Sequence, residues 1–118
     1  QPWLQARAFD IVQPDVTKVG GISEERRIAW MAQDHGVRFI PHGWNTAVGL
    51  AADLQLASAF PETNFVEYLT GSPFIDDITI GGWQLDSAGM LKIPSKPGLG
   101  LELNPEAIAK YSGITNFL

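Results

Sequence analysis

The sequence predicts an α/β fold built on parallel strands. Three short apolar runs each end in an ionisable side chain: Asp15 follows the first, His42 the second and Glu67 the third. Gaps of similar length separate these residues, and each gap holds helix-like sequence that matches one strand-plus-helix unit. Parallel strands joined by crossover helices point the same way, so we expect the three side chains at one rim of one sheet. In α/β folds that rim is where ligands bind and chemistry occurs.

The composition fits one globular unit and excludes two kinds of partner. The 118 residues are 45% hydrophobic and 18% charged, with a formal net charge of −5. No basic run is present to follow a phosphate backbone, so we expect no nucleic-acid partner. The longest apolar stretch is far shorter than the roughly 20 residues that a membrane span requires, so we expect no membrane insertion. The absence of cysteine excludes disulfides and thiolate metal sites, and we expect a cytoplasmic protein.

The first half of the chain carries clear helix and strand signals. Residues 2–9 read as the end of a helix, which suggests a piece of a longer protein, and residues 11–13 read as a strand. Ser23 is a favourable N-cap for a helix that we expect to run to Gly36. We interpret residues 24–27 as a solvent-facing part of that helix. Residues 37–40 are predicted as the second strand, because β-branched and aromatic side chains predominate there.

The second half begins with another helix and then changes character. A helix is predicted from Asn45 or Thr46 to just before Pro61, followed by a third strand at 64–66. Beyond residue 70 we expect a small antiparallel hairpin from segments 78–80, 83–85 and 90–93, with a turn at 86–89. A short terminal helix is predicted to open at Asn104, with Pro105 at its first position.

The three rim residues have complementary chemistry. A carboxylate at Asp15 can accept a hydrogen bond from one ring nitrogen of His42, fix its tautomer and stabilise the imidazolium. The other nitrogen then faces a substrate as a general base or acid. Glu67 could donate a hydrogen bond to a developing oxyanion. We therefore predict Asp15, His42 and Glu67 as catalytic residues, although Asp15 or His42 taken singly would fit a structural role equally well.

Three further residues are candidates for contacts with substrate. Lys18 follows Asp15 in the same loop, and positioning or salt bridging is the stronger interpretation for it, because a lysine with an ordinary pKa is a poor base at neutral pH. Trp44 and Asn45 follow His42 and could contact substrate. Packing by Trp44 and helix capping by Asn45 are equally compatible with the sequence.

These motifs carry a family resemblance that covers nearly the whole chain. Segment 14–21 reads Pro-Asp-Val-Thr-Lys-Val-Gly-Gly, segment 41–46 reads Pro-His-Gly-Trp-Asn-Thr, and segment 66–68 reads Val-Glu-Tyr. Together they resemble the closing barrel strands of the mandelate racemase and muconate lactonizing enzyme family of the enolase superfamily. The muconate lactonizing relatives have a catalytic lysine where this chain has Asp15, so the resemblance is nearer to the racemases and acid-sugar dehydratases.

The resemblance implies the C-terminal part of a (β/α)₈ barrel, about three βα units, followed by the hairpin and terminal helix. Residues 1–70 would supply the barrel strands and helices, and residues 71–118 the tail that packs back on them. It also implies proton abstraction α to a carboxylate, through an enediolate held by Mg²⁺. The metal ligands would lie on missing upstream strands, with none on this chain, as would the second base and an N-terminal capping domain. A complete barrel takes about 250 residues.

The function implied is acid-sugar dehydration of a hydroxylated carboxylate substrate. A racemase or epimerase of the same family, and a non-catalytic homologue that binds carboxylates, are the alternatives. The missing second base is what separates racemisation from dehydration in this family. We expect the complete protein to form a homo-oligomer, and this chain alone to be inactive, because a partial barrel leaves sheet edges unpaired.

Overall fold

The computed structural model describes residues 1–113 and contains a two-stranded parallel sheet packed against helices. In chain order the elements are α1 Pro2–Gln5, β1 Ile11–Val12, α2 Ile22–Asp34, β2 Arg38–Phe39, α3 Ala47–Ala57, α4 Pro73–Asp76 and α5 Pro105–Ser112. The predicted α/β class is therefore confirmed. None of the helices in the described residues is long and apolar enough to cross a bilayer.

The two strands run side by side and bring the loops that follow them together. Val12 pairs with Phe39 in a parallel register. The pairing continues beyond the strands, because the His42 N–H donates to the Pro14 carbonyl at 2.8 Å. This last hydrogen bond fixes the backbone of His42 one residue from Asp15, at the carboxyl ends of both strands.

Helix α2 begins earlier than the sequence predicts. Its N-cap is Gly21, whose φ of 90° is a conformation that glycine adopts readily. Ser23 lies inside the first turn, and no side chain caps the helix. The expectation of Ser23 as the N-cap is therefore wrong. The predicted end is confirmed, since Gly36 follows the His35 C-cap with a φ of 65°.

The apolar side chains form one cluster under the sheet and two around α3. The first cluster packs α1, α2 and the end of α3 against the strands, with Ala32, Phe39 and Leu56 among its buried members. In the second, Ala47 of α3 contacts Ile78 and Ala107. The third joins Leu50 and Leu54 of α3 to α4. Helix α3 is buried almost all round, so it connects the strand layer to the C-terminal tail.

The third strand expected at 64–66 is not formed. This segment makes no backbone hydrogen bonds with other described residues, and Phe65 is exposed. Side chains hold it instead: the Thr63 hydroxyl donates to the Phe39 carbonyl at 3.1 Å. Two strand–helix units are assigned within the described residues, and the count of three stays a prediction.

The tail contains less antiparallel sheet than expected. The turn at 86–89 is confirmed, since the Gly89 N–H donates to the Asp86 carbonyl at 2.9 Å. Its flanks are joined by a single bridge, Leu85 to Leu91, rather than by strands. The antiparallel pairing of 83–85 with 90–93 is therefore present, but it is reduced to this bridge. Segment 78–80 does not belong to the hairpin, because Thr79 pairs with Leu103 instead.

The terminal helix opens as the sequence predicts, whereas α4 was not expected. Asn104 is the N-cap of α5 and its side chain accepts a hydrogen bond from the Ala107 N–H at 3.4 Å. Ile75 of α4 is fully buried against α3, which fixes this short helix. The division at residue 70 stays a prediction, and residues 114–118 of the predicted second segment lie outside the described residues.

Candidate active site

The candidate site lies where the loops after β1 and β2 meet. Asp15 is the first residue past the β1 pairing and is only 4% exposed. His42 sits opposite it after β2, and its Nδ1 lies 2.8 Å from Asp15 Oδ2. A carboxylate can only accept, so Nδ1 carries the hydrogen and Nε2 is left as the proton acceptor. The sequence-predicted dyad is thus formed in the structure.

Asp15 is held as an anion by three side chains. Burial by itself raises the pKa of this carboxyl. Hydrogen bonds from the side chains of Lys18, Thr17 and His42 outweigh burial and hold the pKa of Asp15 well below its ordinary value. The Thr17 N–H also donates to Asp15 Oδ1 at 2.9 Å. Asp15 therefore keeps its charge throughout the neutral range.

Glu67 lies on the outer side of the imidazole. Its Oε2 is 3.9 Å from His42 Nε2 and accepts a hydrogen bond from the Gly43 N–H at 2.9 Å. Its Oε1 bonds to none of the described residues. The side chains of His42 and Glu67 are 36% and 47% exposed. Both reactive atoms therefore open onto one accessible face, where a small molecule could approach them together.

Gly43 makes this approach of Glu67 possible. A Cβ atom at position 43 would lie 2.0 Å from the Glu67 carbonyl oxygen and 2.6 Å from its carbonyl carbon. Both atoms belong to the backbone, so no side-chain rotation could relieve the overlap. The sequence around Gly43 gives no sign of this role, because the role depends on the neighbouring segment rather than on the conformation of Gly43 itself.

Lys18 and Trp44 border the dyad. The Lys18 ammonium is ion-paired with Asp15 Oδ2 and also lies 3.3 Å from the Trp44 carbonyl oxygen. These contacts favour the positioning role for Lys18. The Trp44 side chain is 68% exposed beside the site and does not pack in a core cluster. Contact of either residue with substrate stays a prediction.

Asn45 connects the site to α3 and does not cap the helix. The N-cap of α3 is Thr46, and no side chain caps the helix N-terminus. The Asn45 amide instead donates to Asp53 Oδ2 at 3.3 Å and lies 3.5 Å from the His42 carbonyl oxygen. The capping alternative for Asn45 is therefore wrong.

Two acids behind the dyad are buried, contrary to the expectation for Glu25. Glu25 was interpreted as solvent-facing, but it is 0% exposed, and Asp53 is 1% exposed. Glu25 falls on the same helical face as Ala29 and Ala32, which are also buried. That periodicity was the available signal. Asp53 interrupts an otherwise apolar helix, which is the equivalent signal in α3.

The described residues do not form a metal site of their own. No group of three or more histidine or acidic side chains within residues 1–113 is arranged to hold an ion. Both Asp15 oxygens already accept hydrogen bonds from side chains, Oδ1 from the Thr17 hydroxyl and Oδ2 from Lys18 and His42, which leaves this carboxylate poorly disposed as a metal ligand.

Comparison with known proteins identifies relatives of this chain. A family model described as Enolase C-terminal domain-like matches residues 1–107. The D-galactarolactone cycloisomerase of Agrobacterium fabrum is 38% identical over 117 residues, covering 92% of this chain and 31% of the relative. The D-xylonate dehydratase of Haloferax volcanii is 33% identical over 115 residues, covering 92% of this chain and 26% of the relative.

A solved structure gives the same result for the fold. An enolase from Pantoea ananatis, solved with bound D-gluconate and Mg, superimposes with a TM-score of 0.80 at 25% identity. The match covers 92% of this chain and 26% of that one. The predicted relationship to the enolase superfamily and its mandelate racemase group is thereby confirmed. The chain spans less than a third of the length of these relatives.

Proposed function

Because the chain belongs to the Enolase C-terminal domain-like family, we propose that it forms the dyad-bearing part of an acid-sugar dehydratase. The substrate would be a hydroxylated carboxylate, and the reaction would begin with removal of the proton α to the carboxylate. The observation that carries this proposal is the 2.8 Å hydrogen bond between His42 Nδ1 and Asp15 Oδ2, which leaves Nε2 on the accessible face. The named activities of two relatives, a cycloisomerase and a dehydratase, support it.

In the proposed reaction His42 is the base. Its Nε2 takes the α-proton, and the electron pair of the broken C–H bond moves into the substrate carboxylate. Asp15 stabilises the resulting imidazolium, because its carboxylate is buried and ionised. Loss of the β-hydroxyl then follows: the C–O bond breaks, an acid supplies the proton that completes water, and the enol product tautomerises to a keto acid.

Glu67 is proposed to stabilise the charge that grows on the substrate carboxylate. Its Oε2 is anchored by the Gly43 N–H, so Oε1 is the atom available to carry a proton toward a substrate oxygen. A donor aimed at developing charge lowers the barrier more than it strengthens substrate binding. Lys18, Trp44 and Asn45 are proposed to border the bound substrate.

Other parts of the active site are proposed to lie outside this chain. Mg²⁺ ligands, a second acid or base and a capping domain would belong to a longer protein, which we propose acts as a homo-oligomer. The length of the relatives supports this, since each is more than three times as long as the matched segment. None of the steps assigned here to His42, Asp15 or Glu67 requires a metal ligand from this chain.

A cycloisomerase is the second candidate, because the Agrobacterium relative with this activity has the higher identity of the two, 38% against 33%. Such an enzyme would use the same proton abstraction but would break an intramolecular C–O bond rather than release water. A racemase would return the proton to the opposite face. A non-catalytic carboxylate-binding protein would bind the acid and release it unchanged.

The products distinguish these candidates. The longer protein that carries this chain should be incubated with Mg²⁺ and a panel of acid sugars and their lactones. Keto-acid formation with loss of water supports the dehydratase, and ring opening or closure without a change of mass supports the cycloisomerase. Inversion alone supports a racemase. Binding of acid sugars with no product and no α-proton exchange would overturn the enzymatic proposal.

A further inference from the structure

A buried pair of carboxyl groups lies behind the dyad, and the proposed reaction does not use it. Glu25 of α2 and Asp53 of α3 are both fully enclosed, at 0% and 1% exposure. Both carboxyl oxygens of Glu25 and the Oδ1 of Asp53 have no hydrogen-bond partner among the described residues. Burial of an ionised group without partners is costly, and two buried like charges raise that cost. A single proton between the carboxyls would remove one charge and let one group donate to the other.

The pair is connected to the site by one side chain. The Asn45 amide nitrogen donates to Asp53 Oδ2 at 3.3 Å and lies 3.5 Å from the carbonyl oxygen of His42. Asn45 thus links His42, the proposed base, to Asp53 on α3. Asp53 is the carboxyl that Glu25 faces. The Oδ1 of Asn45 is itself buried without a partner within residues 1–113, so this side chain has few other interactions to hold it.

We propose that Glu25 and Asp53 share one proton and thereby position His42 through Asn45. The inference rests on the proposed function, since His42 needs positioning only if it acts on a substrate. Asp53 is the ionised partner that accepts from Asn45, and Glu25 is the proton holder that donates to Asp53. Loss of the shared proton leaves two facing carboxylates, which push α2 and α3 apart and draw Asn45 away from His42. Both acids are positioning residues, because neither contacts the accessible face of the site.

The electrostatic surroundings agree with this assignment. Burial, followed by the charge of Asp53, raises the pKa of Glu25 to about 8. Burial also raises the pKa of Asp53, to about 6, although the hydrogen bond from Asn45 opposes the increase. The Asp15 charge raises both values, and His42 lowers that of Asp53. These are the titratable groups that act on the pair within the described chain.

The stability of the folded state should depend on pH through this pair. Both carboxyls titrate above their ordinary range, so the folded state is favoured while the pair holds its protons and loses stability as the pH rises. Because the groups interact, the protons leave in two steps that belong to the pair, one near pH 6 and one near pH 8. At neutral pH the pair therefore carries one proton, and above pH 8 it carries none.

The shared proton can be tested by infrared titration of the longer protein that carries this chain. The carbonyl stretch of a protonated carboxyl should disappear from the wild-type spectrum near pH 8. The band should be absent from Glu25→Gln, and should vanish about one pH unit lower in Asp53→Asn, because the neighbouring charge is gone. The matched control is Glu24→Gln, at the adjacent exposed position, which should keep the wild-type band. If the band disappears at the same pH in Asp53→Asn as in the wild type, the proposal of a shared proton is wrong.

The positioning role needs a separate measurement of turnover against pH. Wild-type kcat should fall reversibly above pH 8, and the fall should move upward by about one pH unit in Glu25→Gln, since glutamine stays neutral. KM should change little. Identical alkaline limits in the wild type and Glu25→Gln would overturn the positioning role, because a merely structural pair would change stability without moving this limit. If Glu25→Gln does not fold, the wild-type and Asp53→Asn titrations still decide the shared proton.

Failure of the proposed function would look different. If no acid sugar is turned over by any of these proteins, but the carboxyl band still responds to Asp53→Asn, the shared proton stands and the enzymatic proposal fails. If turnover occurs while the band is unaffected by Asp53→Asn, the enzymatic proposal stands and the shared proton fails.

Discussion

Substituting alanine for Gly43 should separate Glu67 from the dyad without changing any ionisable group. The added Cβ would lie 2.0 Å from the Glu67 carbonyl oxygen, whereas ordinary contact begins at 3.4 Å. The overlap is with backbone, so the segment that carries Glu67 must move by more than about 1 Å. A displacement of that size in a catalytic group can cost about 10²-fold in rate. We therefore expect Gly43→Ala to lower kcat/KM by about that factor.

The stability cost of the same substitution should be modest. Insertion of one methyl group into a packed region typically costs about 1–3 kcal/mol. A matched control is Gly89→Ala, where the φ of 77° imposes strain but the new Cβ meets nothing within 4 Å. A left-handed alanine costs about 1–2 kcal/mol, which is comparable. The control should lose similar stability and keep its activity.

The assay is steady-state turnover of the acid sugar identified for the longer protein, measured beside denaturant unfolding of each variant. Wild-type kcat/KM in Gly43→Ala would refute the reasoning, because it would show that Glu67 can move by this distance without effect. Equal activity losses in Gly43→Ala and Gly89→Ala would also refute it, since the loss would then follow stability rather than the position of Glu67.

Three further predictions concern individual side chains. Asp15→Asn should leave the fold intact and lower α-proton abstraction by about 10²–10⁴-fold, as measured by solvent deuterium exchange, because the imidazolium loses its charged partner. Glu67→Gln should lower kcat by about 10²–10³-fold with little change in KM and near-normal Mg²⁺ affinity in a metal titration, whereas a metal ligand would lose affinity. Asn104→Ala should remove the cap of α5 and lower the free energy of unfolding by about 1 kcal/mol; an unchanged denaturation midpoint would contradict the capping role.

The dyad could be predicted from sequence because it depends on one regularity. Parallel neighbouring strands end at the same rim, and the hydrogen bond from His42 to the Pro14 carbonyl continues that pairing to the site. The end of α2 just before Gly36 and the cap of α5 at Asn104 were predictable for a similar reason, since each depends on local backbone geometry. Local signals were therefore reliable at these two helix ends, whereas the equally local cap signal at Ser23 failed because α2 begins after the positive φ of Gly21.

Features that depend on a distant partner were not predictable in this way. Residues 64–66 have strand-like composition, but they find no backbone partner among the described residues. Glu25 looked like one of four consecutive surface charges, and that run outweighed its helical alignment with the buried Ala29 and Ala32; its packing lies against another segment. Local composition could not supply any of these tertiary contacts.

Solvent deuterium exchange at the substrate α-carbon tests the central claim most directly, because it reports proton abstraction whether or not water is lost later. The measurement compares the wild-type longer protein with His42→Asn, and with His35→Asn as the control. His35 is the only other histidine, and its Nδ1 is bonded to the Met31 carbonyl at the end of α2, away from the dyad. We predict that His42→Asn loses exchange on the face that His42 serves, while His35→Asn exchanges at the wild-type rate. Exchange at the wild-type rate in His42→Asn would contradict the assignment of His42 as the base.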